Sequence, residues 1–151
     1  MNFEQIITTY YASQFSQGLF GLAYSGEDIV ISFWNVPDVP QPSHEEVMAL
    51  DTPELEHMYQ FYRFIDAGTP LIAAYVDAVA REKNYDTAVS CASYVSSTIP
   101  AWQAQAVAFV AWRDSVYSYC IAQETLMQTG ARSIPTFEEF KTELPVMVWP
   151  S

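Results

Sequence analysis

Apolar positions recur along most of this chain at the spacing of an amphipathic helix, and the early part breaks that rhythm. Phe3 to Phe15 carries mixed signals: it fits a short amphipathic helix, while its β-branched and Tyr content suits a run into a strand. Leu19 to Tyr24 and Ile29 to Trp34 are short apolar runs separated by Ser25-Gly26-Glu27-Asp28, where Gly26 is free to take positive φ. They predict a β-hairpin. Asn35 to Ser43 contains Pro37, Pro40 and Pro42, a density that blocks helix and central strand alike and predicts an extended linker.

From there the pattern is helical. Ser43-His44-Glu45-Glu46 is a capping box, with Ser43 capping and Glu46 reaching back. Asp51-Thr52-Pro53-Glu54 repeats the start signal with Pro in the first turn, and Leu55, Met58, Tyr59 and Tyr62 predict a helix over 53–65. Ala67-Gly68-Thr69-Pro70 reads as the stop of that helix and the start of another, whose face is Ile72, Tyr75, Val76, Val79 and Ala80. Asn84-Tyr85-Asp86 predicts a short break, with Asp86 capping a helix to Ser97. The longest element is expected from Pro100 to near Gly130. Phe109, Trp112, Val116, Tyr119, Cys120 and Met127 form its stripe, and Ala104, Ala106, Ala108 and Ala111 widen it, which implies burial by more than one neighbour. Thr136 to Glu139 is a further capping box opening a last short helix, which Leu144-Pro145 ends, and Val146 to Ser151 is an apolar extended tail. The expected fold is α+β, mainly α: an N-terminal β-hairpin followed by a helical bundle of about four to five helices. Residues 1–41 form the helix/hairpin region with the proline linker and 42–151 the helical domain, two subregions of one structural unit.

Composition narrows the function classes. A chain of 151 residues fits one domain, and 50% hydrophobic residues exclude a wholly disordered chain. The formal charge is −12, from 18 acidic and 6 basic residues. The six cations, Arg63, Arg81, Lys83, Arg113, Arg132 and Lys141, are scattered, whereas a phosphate backbone or an anionic membrane surface needs them clustered. No nucleic-acid partner and no membrane partner are therefore expected. The acid excess supplies solubility, or an acidic face for a basic partner. The longest apolar run, Ala106 to Trp112, is far short of the ~20 residues of a membrane span. The start lacks the basic and apolar regions of a signal peptide, and Cys91 and Cys120 lie in apolar stretches without metal-ligand spacing. A cytosolic setting is expected.

Reactive groups are few. His44 sits in a capping sequence, and Glu54-Leu55-Glu56-His57 gives one Glu-x-x-His where a helical di-iron site needs two. No Gly-x-Ser-x-Gly elbow, phosphate-binding loop or dinucleotide fingerprint occurs. Cys120 lies between Tyr119 and Ile121, a core setting, and the pairs Glu45/Glu46 and Glu138/Glu139 are explained by first-turn positions. No catalytic residue, metal ligand or cofactor is assigned, and the chain is not expected to be an enzyme.

Trp34-Asn35-Val36-Pro37 followed by Pro40-Gln41-Pro42-Ser43-His44-Glu45-Glu46 resembles a segment of small proteins encoded beside the tail fibres of tailed bacteriophages. Tyr75 to Ala80, Asn84 to Ala88, Ser93-Tyr94, Ala111 to Tyr117 and Pro135-Thr136 are similar to a helical module common in the same gene neighbourhoods. Residues 1–30 carry none of it. The resemblance implies a tail-fibre assembly chaperone acting in the cytoplasm of the infected bacterium, with the phage tail-fibre protein as partner. The alternatives are a structural tail or baseplate component retained in the virion, and an acidic DNA mimic that inhibits a host protein. The candidate partner-binding residues are Trp34, Trp112, Arg113, Val146, Val148 and Trp149. For Arg113, a salt bridge with Asp114 competes with partner contact. For Val146 to Trp149, folding back on the core competes with adding to a partner.

Overall fold

The computed structural model describes residues 1–150. Its architecture is α+β and mainly α, with an N-terminal two-stranded antiparallel hairpin and five helices after it. The chain divides into two compact units, Met1–Tyr62 and a second from Arg63 onward.

In the first unit, Asn2 accepts from the Gln5 backbone N–H and the Gln5 side chain accepts in return, so α1 (Phe3–Tyr10) begins with a capping box. The open choice over 3–15 resolves as helix, interrupted at Tyr11, with α2 at Ala12–Ser16. Gly18 at φ 68 then turns the chain into β1 (Phe20–Ser25), which pairs with β2 (Asp28–Trp34). Ser25 faces Asp28 across a two-residue loop, and Gly26 takes φ 69 where a side chain would be strained. The register runs Phe20↔Trp34 and Gly21↔Phe33, then shifts to Leu22↔Ile31. Gly21 lacks the Cβ that would collide with the Phe33 ring, so the ring lies across the strand. Phe3, Ile6 and Ile7 of α1 are buried with Phe20, Val36, Val47 and Leu55, while Leu19, Leu22, Ile29, Ile31 and Trp34 pack around them. Burying each such side chain contributes about 1.5–3 kcal/mol. The linker is irregular, and Ser43 and Glu46 form the expected capping box of α3 (His44–Met48).

α4 (Pro53–Arg81) corrects the expected stop at 67–70: it is one helix with Pro70 inside it. Proline there removes the N–H that would reach the Asp66 carbonyl, at a cost of about 3 kcal/mol. Packing of the flanks offsets this: Ile72, Val76, Val79 and Ala80 are buried, and the Phe64 ring meets Phe140 edge-on at 5.4 Å. Gly68 has no positive φ, so it is an interior helical residue and no stop.

In the second unit, α5 (Ala88–Ser93) is capped by Thr87, which accepts from Ser90 N, and not by Asp86. Asp77 Oδ1 accepts from Ala88 N at 2.7 Å, fixing the start one residue later than expected. α5 also ends early, passing into a 3-10 turn at Tyr94–Ser96. α6 (Pro100–Gln128) has Pro in its first turn and is followed by Gly130 at φ 72, as expected, although α4 equals it at 29 residues. Its buried stripe is Ala106, Phe109, Trp112, Val116, Cys120 and Met127. More than one neighbour covers α6, as expected: Tyr75 of α4 meets Trp112, Phe140 meets Tyr119, and Trp149 of the tail meets Phe109. The widening by alanine is partial, since Ala106 is buried while Ala104 and Ala111 are exposed, as are Val107 at 54% and Ile121 at 64%. α7 (Phe137–Thr142) opens with the Thr136–Glu139 capping box and buries Phe140.

Candidate protein-binding surface

After α7 the chain buries Leu144 and continues in extended form through Pro150 without joining a sheet. Two tryptophans fix it. Trp112, buried on α6, donates from Nε1 to the Pro145 carbonyl at 2.8 Å. Trp149, on the tail itself, stacks on Phe109 at 5.9 Å with the rings 11° apart. Its Nε1 donates to Glu82 Oε2 at 3.0 Å, and the Lys83 ammonium lies 5.8 Å over its ring.

Side chains alternate along an extended chain. Met147 and Trp149 are half-buried, whereas Val146 and Val148 are 81% and 80% exposed. No backbone hydrogen bond joins Val146, Met147, Val148 or Trp149 to another described residue. The segment is thus held at both ends, with two β-branched apolar side chains outward and, along its edges, main-chain donors and acceptors without partners among the described residues. Such an edge is a template for strand pairing.

The other candidates separate. Trp112 and Trp149 secure the tail and are themselves taken up by the chain's own core. Arg113, next to Trp112, is engaged by its neighbour: Nη2 and Nε lie 2.8 and 3.1 Å from Asp114 Oδ1. Trp34 belongs to the first unit, where its ring contacts Tyr11 and Phe20 at 5.1 Å each and its Nε1 donates to the Val39 carbonyl at 2.8 Å. Val146 and Val148 are the candidates left open to a partner. The tail's anchors Phe109, Glu82 and Lys83 are not among the partner-binding candidates: Phe109 reads only as part of the apolar stripe, and no local pattern marks Glu82 or Lys83. Beside the tail, Arg132 grips Glu143 through both carboxylate oxygens at 2.7 Å, and Tyr119 donates to Glu143 at 2.5 Å. These bonds hold the Glu143 carboxyl below its usual value and secure the segment joining α7 to the tail.

Among the described residues, no three His, Cys, Asp or Glu side chains gather to hold a metal, and no helix is long and apolar enough to cross a membrane. Both cysteines are free and buried, and burial pushes the Cys91 thiol up to about 11. No protein-family model, curated protein or solved structure matches the chain.

Proposed function

We propose that this chain is a protein-binding assembly factor of the tail-fibre chaperone type that its sequence resembles, working in the cytoplasm of the infected bacterium. Its tail, Val146 to Trp149, is the strand it lends to the fibre subunit. The observation that carries this reading is the tail's geometry: extended, anchored by Trp149 and Trp112, unpaired along its edges, and outwardly apolar at Val146 and Val148. Anchoring lowers the entropy lost when a partner strand adds. A fibre subunit awaiting assembly has open strand edges that aggregate unless covered. The acidic charge of −12 favours keeping such a complex dispersed.

Co-expression with a phage tail-fibre subunit tests the reading. A soluble complex is expected, and it is lost when Val146→Asp and Val148→Asp are introduced together, which leaves the anchors intact. A fibre subunit equally soluble without this chain overturns the chaperone role. Stoichiometric presence in purified virions, read by mass spectrometry, assigns the chain to the virion instead.

A further inference from the structure

A cavity of about 110 Å³ opens between α4, α6 and α7. Phe64, Ile65 and Ile72 of α4 and Phe137 and Phe140 of α7 give it apolar walls, and Cys120 of α6 adds a thiol. Gly68 keeps it open: a Cβ there would stand 3.8 Å from the Phe137 ring, so any larger side chain enters the space. An apolar cavity of ~150 Å³ admits benzene, so a volume of this order takes one ring or a branched alkyl group and excludes a helix or strand.

The polar lining decides what else the occupant carries. Thr69 is committed, its hydroxyl donating to the Ile65 carbonyl at 2.8 Å. Glu124 is the single charged residue of the lining, half-buried, and its carboxylate makes no hydrogen bond or ion pair with another described residue. It lines the same wall as Cys120, whose thiol is raised first by burial and further by the Glu124 charge. An unpaired carboxylate beside an apolar chamber favours a cation at the mouth and opposes an anion.

We infer that this cavity is a binding site for a small apolar amine, its ring or alkyl body between Gly68 and Phe137 and its ammonium on Glu124. The site stands apart from the tail and does not depend on the chaperone reading.

Phenethylamine, benzyl alcohol and phenylacetate share a ring and differ in charge, and each is titrated into the full isotope-labelled chain while backbone amide shifts are followed. Phenethylamine is expected to give saturable shifts centred on Gly68, Thr69, Cys120, Glu124 and Phe137. It should bind about two- to fivefold more tightly than benzyl alcohol, the size of a half-exposed charge pair, with phenylacetate weakest. Glu124→Gln, conservative and near the surface, should erase the preference for the amine while keeping binding of the alcohol. Gly68→Leu, which fills the chamber, should abolish both. Shifts absent or centred elsewhere, phenylacetate binding as well as the amine, or an amine preference that survives Glu124→Gln each overturns the assignment.

Discussion

Replacing Gly68 with Ala gives a stability change whose sign depends on whether α4 is one helix. Inside a continuous helix, Ala is favoured over Gly by about 0.5–1 kcal/mol because it loses less backbone entropy. The new Cβ meets Phe137 Cδ2 and Cε2 at 3.8 and 4.0 Å, ordinary contact, and each such atom pair adds about 0.1–0.2 kcal/mol. The sum is about 1 kcal/mol of stabilisation, which for a chain of this length raises the midpoint by about 2–4 °C. Had the helix stopped at 67–70, Gly68 would occupy the left-handed region and Ala would cost about 1–2 kcal/mol, lowering the midpoint. Thermal unfolding followed by circular dichroism in matched buffers separates the two. A fall in the midpoint refutes the continuous helix. Pro70→Ala, which restores the N–H facing the Asp66 carbonyl, should also stabilise, by up to about 3 kcal/mol.

Thr136→Ala removes the cap of α7 and should cost about 1 kcal/mol, seen as a lower urea midpoint with an unchanged slope. Glu46, Glu139 and Glu143 are held below their ordinary value of 4.5, the first two by capping bonds and Glu143 by Tyr119 and Arg132. Because these folded values are depressed, their contribution is present above pH 4.5 and is lost as pH falls through the folded values; Glu143→Gln should flatten that acid limb in a thermal-midpoint titration. The Cys91 thiol, at about 11 and buried, should resist a thiol reagent at neutral pH in the native chain and react fully in denaturant.

What the sequence makes legible is local chemistry. The capping boxes at Ser43–Glu46 and Thr136–Glu139 are read directly because both partners lie within four residues, and Gly26 marks its turn for the same reason. Thr87 and Asp86 are adjacent cap-forming residues, and the choice between them is made by Asp77, a turn of α4 away in the fold. Gly68 and Pro70 look like a break because propensity is local, while the burial of Ile72 and Val76 that carries the helix through is not. The apolar width of α6 is plain in its alanines and valines, but no periodicity says whether a neighbour covers it; Val107 and Ile121 remain uncovered. For the tail the sequence leaves two fates open; the structure shows Trp149 folded back onto Phe109 while Val146 and Val148 face out. That outcome depends on Glu82 and Lys83, which are remote in sequence.

Backbone hydrogen exchange at Val146, Met147, Val148 and Trp149 tests the strand-lending proposal most directly, measured on the free chain and on the chain mixed with a tail-fibre subunit, the partner it proposes. The account predicts fast exchange at these amides in the free chain, because they have no main-chain partners. It predicts slowing at alternate amides once a partner strand pairs along one edge. Equal rates in both states, or slow exchange in the free chain, would contradict it.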